Sequence, residues 1–384
     1  MTTQNTSLPA QQQTAQFPGY RPLKVGEPIF NEARKTWLVL RYKDVQRVLV
    51  DYQTFSSRRG GLTPATSLER NPGANMITMD PPQHQHHRMF FNEAFFSESI
   101  AHLEAGIEAE AHRLLDQVIE QGSMDVIYDF AHTISLNAIT KLLGITIEDQ
   151  KQFQKMSDVE ITSPGSAQVQ EALERLFAPA LEQRRREPQN DLISALMSAQ
   201  KKGEQLSDAE IASSCGLILM AGHRSPRNLI GNAIMCLDAF PWLQEELRQD
   251  QSLLPGFVEE VIRYVPAFIS APRIATVDTL VGDADIKRGQ WVMPQLGSAN
   301  RDPAIFSDPD VFDMRRNPNP YVSFGHGVHL CVARPLARLD TTIGVRVLLE
   351  RLKDIRVVHT VEPEPVISPV VYGMKHLPVT FQSS

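Results

Sequence analysis

The spacing of apolar residues along the chain predicts that most of it is helical. Between residues 100 and 119, apolar side chains return about every 3.6 residues and therefore line one face of a helix. A second stretch of this kind runs over residues 125–143. Residues 208–239 form the longest segment, which is apolar nearly all round as far as Met220. We therefore expect a central, buried helix over these residues.

The ends of these helices carry recognisable signals. Ser207, followed three residues later by Glu210, fits a capping box in which Ser207 is the N-cap of the long helix. Gly144 comes directly after the 125–143 stretch, and glycine is common just beyond the end of a helix. We expect a last long helix to begin near Cys331 and to run to about residue 352.

Other segments depart from the helical pattern. The apolar run over residues 37–40 is too short for a helix and predicts a strand, and residues 273–298 mix Thr, Val and Ile with Gly and Asp, which favours short strands and hairpins. Residues 56–80 are rich in Gly, Pro, Ser and Thr and predict a long loop. The pattern predicts a mainly α fold with a minor β portion, in one domain over residues 21–384, after a disordered tail over residues 1–20.

Composition excludes several classes of protein. The 384 residues include 38 Lys and Arg against 45 Asp and Glu, a formal net charge of −7. Nucleic-acid binding and attachment to anionic membranes both need concentrated basic charge, so we expect neither. No apolar run approaches the roughly 18 to 20 residues that span a bilayer. Three scattered cysteines are too few for a disulfide framework, and we expect a cytoplasmic protein with reduced thiols.

A glycine-bearing loop precedes the last predicted helix and ends in a cysteine. Gly325 and Gly327 allow its backbone to approach a flat partner closely. If the helix begins near Cys331, backbone N–H groups and the helix dipole favour the thiolate form of this residue. Such a thiolate is a good ligand for a soft or borderline metal, haem iron included. The alternative is that a lone cysteine is only a small buried hydrophobe.

The spacing in this loop resembles the haem-binding loop of cytochrome P450, F-G-x-G-x-H-x-C. From about residue 20 to the C-terminus the chain is similar to bacterial soluble members of that family. Any one family motif is weak, but here they occur in the family's order. They are Asp80-Pro81-Pro82-Gln83-His84 with Arg88, Ala221-Gly222, Glu260-Val261-Ile262-Arg263, and Asn300-Arg301-Asp302-Pro303 with Phe306, Pro309 and Phe312.

The resemblance implies that haem b lies between the central helix and the helix after the cysteine loop. Cys331 would be its axial thiolate, and Phe324 belongs to the same loop. Haem carries two propionates, which need cationic partners, and each such position has the alternative of a solvated surface cation. The matching positions are His84, Arg88, Arg273 and His329. In the resemblance Glu260 and Arg263 are a buried structural pair.

The histidines near residue 84 suggest a second hypothesis, a zinc site. His84, His86 and His87 lie close together in the sequence. Zinc usually needs three or four ligands, and no Cys pair or HExxH motif accompanies them. We therefore favour the haem interpretation, which already uses His84.

The central helix departs from the family pattern, which usually reads A-G-x-[Glu/Asp]-Thr. Here the segment reads Ala221-Gly222-His223-Arg224-Ser225-Pro226, and Ala221, Gly222, Arg224 and Ser225 are the candidate catalytic residues. The Ser225 hydroxyl can bond the carbonyl of Ala221. Arg224 replaces the acid, and Pro226 has no N–H for the Gly222 carbonyl, which predicts a kink. Ordinary proton delivery is therefore in doubt.

Three functions follow from these observations. The first is a monooxygenase that inserts one atom of O₂ into an apolar organic substrate, with electrons from a ferredoxin for which Arg334 and Arg338 are candidate contacts. The second is a peroxygenase driven by hydrogen peroxide, since an Arg with a nearby Pro resembles fatty-acid peroxygenase P450s. The third is a haem protein without turnover, such as a gas sensor or carrier. We expect a monomer.

The substrate pocket is expected to be apolar. Leu217, Met220, Phe268 and Ile269 are candidate lining residues, although each could equally be plain core. The segment 157–180 is expected to move as a lid. Arg224 could favour a substrate that carries a carboxylate.

Overall fold

A long helix runs through the middle of the protein, and other helices pack against it. The computed structural model describes residues 17–58, 76–92, 100–145, 167–199, 205–360, 362–366 and 368–384. The helices are α1 (Tyr42–Val50), α2 (Gln83–Phe91), α3 (Glu104–Asp116), α4 (His132–Leu143), α5 (Ala167–Arg186), α6 (Leu192–Ser198), α7 (Asp208–Ala239), α8 (Trp242–Gln249), α9 (Leu254–Tyr264), α10 (Leu296–Ala299) and α11 (Arg334–Arg351). A π-helical turn over Val126–Ala131 leads into α4, and a 3-10 turn over Gly327–His329 precedes α11.

Helix α7 is central because it is enclosed by α4, α5 and α11. Two glycines allow its neighbours to come close. A Cβ atom at Gly216 would lie 2.5 Å from Cδ2 of Leu173 in α5, and one at Gly222 would lie 2.6 Å from Cδ1 of Ile139 in α4. Real Cβ atoms do not approach so closely in well-packed cores. These glycines therefore set the distances at which α4 and α5 pack on α7.

Among the described residues the β portion forms small sheets at the edge of the helical body. The strands are β1 (Ile29–Asn31), β2 (Thr36–Val39), β3 (Phe55–Ser56), β4 (Ser123–Asp125), β5 (Arg273–Ala275), β6 (Thr279–Val281), β7 (Ala284–Ile286), β8 (Trp291–Pro294), β9 (Leu352–Val357) and β10 (Pro378–Ser383). They pair in the orders β1-β2-β8-β5-β3, β4-β10-β9 and β6-β7. Only the β2–β8 pair is parallel, with Leu38 opposite Met293.

The predicted mainly α fold with a minor β portion is confirmed. The capping box is present, with the Ser207 hydroxyl accepting from the Glu210 backbone N–H and the Glu210 carboxylate accepting from the Ser207 N–H. Gly144 follows α4 with φ of +82°, a left-handed conformation that favours glycine. The predicted strands are present as β2 and as β5 to β8.

Several predicted boundaries were wrong. Residues 17–20 do not belong to a disordered tail, because Phe17 and Tyr20 are buried and the Phe17 ring meets Tyr264 edge-on at 6.0 Å. The 125–143 stretch opens with β4 and the π-helical turn instead of a regular helix. Helix α11 begins at Arg334 instead of near Cys331, since Pro335 suits a first helical turn.

Some expectations fall outside the described residues. These are the tail over residues 1–16, residues 59–75 of the long loop and the break at residues 163–165. Within the part of the chain that is described, no helix has the length and hydropathy needed to cross a bilayer.

Candidate active site

The cysteine loop is a tight backbone structure that fixes where Cys331 lies. The Cys331 N–H donates to the Phe324 carbonyl at 2.9 Å, and the Gly325 N–H donates to the Val322 carbonyl at 2.8 Å. Gly325 and Gly327 have φ of +75° and +68°, so both positions favour glycine. A Cβ atom at Gly327 would also lie 3.2 Å from the Cα atom of Val50 at the end of α1. The loop therefore packs against α1 at Gly327.

The surroundings of the Cys331 sulfur act on its pKa in opposite directions. Burial raises the pKa of the thiol, and this effect outweighs the lowering by the Ala333 backbone N–H and by the charges of Arg88, Arg334 and Arg338. Our expectation that the helix N-terminus makes the thiolate the favoured form is therefore corrected. Cys331 lies three residues before α11, where the dipole is weak. A bound metal ion would still deprotonate this thiol.

Four of the predicted cofactor-binding residues come together beside this loop. The rings of His84 and His329 have centroids 4.3 Å apart. Arg88 donates to the Leu330 carbonyl at 2.5 Å, which attaches α2 to the cysteine loop. Arg273 is buried, and its guanidinium donates to the carbonyls of its own segment at Ala271 and Pro272.

These groups destabilise each other's charged forms. Burial, followed by the charges of neighbouring groups that include Arg88 and Arg273, lowers the pKa of His84 to about 4 and that of His329 to about 3. Burial also lowers the pKa of Arg273 to about 10. A cluster with so many positive or polar donors is expensive to bury unless an anion joins it.

The cluster fits the carboxylate edge of haem. Both ring nitrogens of His84 are buried without a hydrogen-bond partner among the described residues. The nearby carboxylate, Asp80, already accepts from the Ser56 hydroxyl at 2.5 Å and from the Ser57 N–H at 2.9 Å. Two propionates would supply the missing negative charge and the missing acceptors. Sequence reasoning missed Ser57, whose hydroxyl lies 3.0 Å from Nε2 of His329; no sequence signal marks this contact.

The partly exposed residues of α7 form a single stripe. From residue 210 to residue 226 only five positions are not fully buried. They follow the spacing i, i+3, i+4, i+7 and i+8, which defines one helix face. These residues are Leu217, Met220, Ala221, Arg224 and Ser225. Because the rest of the segment is buried, this stripe is the open face of α7.

Gly222 and His223 point the other way, toward α4. Gly222 packs against Ile139, and Nε2 of His223 lies 3.0 Å from Nδ1 of His132. The structure therefore separates the four candidate catalytic residues. Ala221, Arg224 and Ser225 share the open face, whereas Gly222 is a helix-packing position.

The local prediction for Ser225 is confirmed, since its hydroxyl donates to the Ala221 carbonyl at 2.7 Å. Helix α7 continues through Pro226 to Ala239 without interruption. Arg224 remains on the accessible face, and its charge helps to lower the pKa values of His223 and Arg227. The open face of α7 thus carries a hydroxyl and a cation where the family usually has a hydroxyl and an acid.

The Glu260–Arg263 pair is fully buried, as the resemblance implied. Arg263 donates to both carboxylate oxygens at 2.8 and 2.6 Å and also to the carbonyls of Asn300, Pro309 and Val311. Glu260 further accepts from the Asp313 N–H. The pair joins α9 to the irregular segment that leads to the cysteine loop, so its role is structural.

Comparison with known proteins agrees with this site. The family model for cytochrome P450 matches residues 29–163 and 166–381. The chain is 34% identical over 373 residues to a putative cytochrome P450, YjiB, of Bacillus subtilis, with 94% of this chain and 92% of that protein covered. It is 31% identical over 376 residues to the cyclomarin C epoxidase CymV of Salinispora arenicola, covering 94% and 95%.

A solved structure is similar as well. The crystal structure of CYP109E1 from Bacillus megaterium, in complex with testosterone, superposes with a TM-score of 0.82 at 33% identity, covering 92% of this chain and 95% of that one. Relatives named as epoxidases, hydroxylases and oxygenases support an oxidoreductase that binds haem b through a cysteine thiolate. The chain belongs to the cytochrome P450 family, and it is a haem-dependent monooxygenase.

Proposed function

We propose that this P450 inserts one oxygen atom from O₂ into an apolar organic substrate, with electrons from a ferredoxin or a similar small redox protein. The observation that carries the proposal is the position of Ser225 on the open face of α7. Its hydroxyl proton is held by the Ala221 carbonyl, so the Oγ lone pairs are left to accept a hydrogen bond from the cavity side. A proton can therefore be held at Ser225 Oγ although no acid stands at position 224.

Each remaining site residue has a proposed role. Cys331 ligates the iron, and Phe324 holds the Cys331 N–H through its carbonyl. His84, Arg88, Arg273 and His329 bind the propionates. When bound, haem supplies the chemistry that activates oxygen. The Ala221 carbonyl accepts the hydrogen bond of the Ser225 hydroxyl, and Gly222 keeps α4 close to α7.

The cavity face supports an apolar substrate. Leu217 and Met220 lie on the open stripe of α7, and Ala267 and Ile269 are partly buried against the same core. CYP109E1, which shares this fold, was crystallised with testosterone. We propose a cytoplasmic location, because Cys215, Cys236 and Cys331 are all free thiols.

A second candidate function is a peroxide-driven peroxygenase. Arg224 favours it, because this cation lies on the open face where it could hold a substrate carboxylate. In that case peroxide would supply both the oxygen atom and the oxidising equivalents, so no redox partner would be needed.

One experiment separates the two candidates. The holoenzyme is given a mixed panel of fatty acids and apolar aromatics, in one arm with hydrogen peroxide alone and in the other with O₂ and a surrogate ferredoxin system. We expect the ferredoxin arm to dominate product formation, and dominance of the peroxide arm would overturn the proposal. Arg224→Glu combined with Pro226→Thr is the matched variant. If the peroxygenase candidate holds, this double change raises O₂-coupled turnover.

A further inference from the structure

Three side chains form a closed hydrogen-bonded triangle behind the cysteine loop. Arg338 of α11 binds Glu259 of α9 at two points, with its Nε atom 2.5 Å from Oε1 and its Nη2 atom 3.0 Å from Oε2. The Tyr321 hydroxyl donates to Oε2 of Glu259 at 2.6 Å and accepts from Nη2 of Arg338 at 2.8 Å. Three separate segments of the chain are therefore joined at one point.

This triangle lies against Phe324. The guanidinium carbon of Arg338 is 5.0 Å from the centroid of the Phe324 ring, and the Tyr321 ring is 6.0 Å from it. A guanidinium at that distance from an aromatic face is attracted to it. Phe324 in turn accepts the hydrogen bond of the Cys331 N–H at 2.9 Å. Phe324 is therefore the one residue that lies between the triangle and Cys331.

The charges of the triangle keep it closed over a wide pH range. The side chains of Arg338 and Glu259 are each about one-third exposed, so the two-point contact has partial protection from solvent. Burial, followed by the neighbouring Glu259, raises the pKa of Tyr321, so its hydroxyl keeps the proton that it donates. The hydrogen bond to Glu259 raises the pKa of Arg338 against the opposing effect of burial. The guanidinium therefore stays charged.

We propose that Arg338, Glu259 and Tyr321 are positioning residues that hold Phe324 and, through its carbonyl, fix the orientation of Cys331 toward the iron. Arg338 is then part of the support of the loop, in place of the redox-partner contact that its position on a helix near the loop suggested. This inference rests on the proposed assignment of Cys331 as the axial ligand.

Two simpler roles make different predictions. If only the charge of Arg338 acts on the sulfur, Arg338→Lys retains the effect, since it keeps the charge but loses the two-point fork. If the triangle only stabilises the fold, its variants lower the yield of holoenzyme but leave the iron–sulfur bond of the surviving holoenzyme unchanged.

The test measures the iron–sulfur stretching band by resonance Raman spectroscopy and the midpoint potential, both on purified holoenzyme. The variants are Arg338→Lys, which keeps the charge, Arg338→Gln, which removes it, and Tyr321→Phe, which preserves the ring against Phe324. Arg346→Gln is the matched control, because Arg346 also lies on α11 and pairs with an acid, Glu108, away from the loop. If the Phe324 carbonyl shifts, the orientation of Cys331 toward the iron changes, so the iron–sulfur bond and the reduction equilibrium should both change. We expect a shifted or broadened stretching band and about a tenfold change in the reduction equilibrium, or 59 mV for one electron.

Each outcome decides the proposal. Shifts in both Arg338→Lys and Tyr321→Phe, with Arg346→Gln like the wild type, support it. Wild-type bands and potentials in both Arg338→Lys and Tyr321→Phe overturn the proposal. A shift that is seen in Arg338→Gln alone also overturns it, because the charge of Arg338 would then be the cause. If Arg338→Lys does not bind haem, the result for Tyr321→Phe alone decides whether the proposal stands. Cys331→Ala separately tests the ligand assignment: a retained thiolate spectrum would overturn that assignment whatever the other variants do.

Discussion

Nε2 of His223 lies 3.0 Å from Nδ1 of His132, and this contact joins the middle of α7 to the first residue of α4. Burial lowers the pKa of both rings, and His132, Arg227 and Arg224 lower that of His223 further. Arg227 contributes to the lowering at His132 as well. The pair is therefore neutral in the folded protein, and one ring donates to the other.

The histidine pair predicts a loss of stability in mild acid. Both folded pKa values lie below the ordinary value of 6.5. The unfolded chain therefore binds more protons as the pH falls below that value, and the stabilisation present above it is lost. Between about pH 7.5 and 5.5 we expect His223, whose pKa lies well below 6.5, to account for up to about 1.4 kcal/mol of the fall in the free energy of unfolding, and His132 for a smaller part.

Urea denaturation at the two pH values measures this fall. His223→Phe removes a titrating group, so its stability should depend less steeply on pH than that of the wild type. The exposed His359 pairs with Asp238 at the surface, and His359→Phe is the control. Equal slopes for His223→Phe and the wild type would contradict the assignment.

Removal of one member of the Glu260–Arg263 pair should be severely destabilising. Both side chains are fully buried, so Glu260→Gln leaves the Arg263 charge without its compensating carboxylate. Loss of one partner from a buried pair typically costs about 3–5 kcal/mol. Denaturant unfolding and the fraction of haem-bound protein measure the effect. The control is Glu246→Gln in the exposed Arg315–Glu246 pair, where the change should stay below about 1 kcal/mol. Similar losses in both variants would show that burial is not the cause.

Arg273 should increase haem affinity but should not stabilise the apoprotein. In the apoprotein its charge is buried beside His84 and His329 with little compensation, so Arg273→Gln should unfold no more easily than the wild type. A charge-assisted hydrogen bond to a propionate is worth about 1.5–3 kcal/mol, so haem affinity should fall by about 10- to 100-fold. Haem titration measures the affinity, and denaturation of the apoprotein measures its stability. The control is Arg356→Gln, because Arg356 is exposed. An unchanged haem affinity would remove Arg273 from the propionate site.

The sequence alone predicted those features that depend on residue spacing within one segment. The cysteine loop, the capping box at Ser207 and the Ser225–Ala221 hydrogen bond all involve neighbours in the chain, and all are present. His84 and Arg88 share α2, but Arg273 and His329 lie far from them in the sequence, and only the resemblance could bring the four together. Their mutual repulsion and the unpartnered nitrogens of His84 depend on burial, which spacing does not reveal.

Features that depend on distant contacts could not be predicted. The apolar pattern of α7 is nearly continuous, so it could not show that Ser225 lies on the open face while Gly222 faces α4. The tail boundary was misplaced because Phe17 packs on Tyr264, a contact with no local signal. Arg338 looked like a surface cation because its partners, Glu259 and Tyr321, come from other segments.

The close approach of Gly222 to Ile139 predicts that the effect of a methyl group at position 222 depends on residue 139. In Gly222→Ala the new Cβ atom would stand 2.6 Å from Cδ1 of Ile139, and overpacking of this kind costs about 1–3 kcal/mol. Alanine also favours a helix over glycine by about 1 kcal/mol, which partly offsets the cost. Ile139→Ala removes both the Cδ1 and the Cγ1 atoms, which would stand 2.6 and 2.7 Å from the new Cβ atom, so in that background Gly222→Ala should be neutral or stabilising. A double-mutant cycle of unfolding free energies measures the coupling. Additive effects would place Gly222 away from α4 and return it to the candidate catalytic residues.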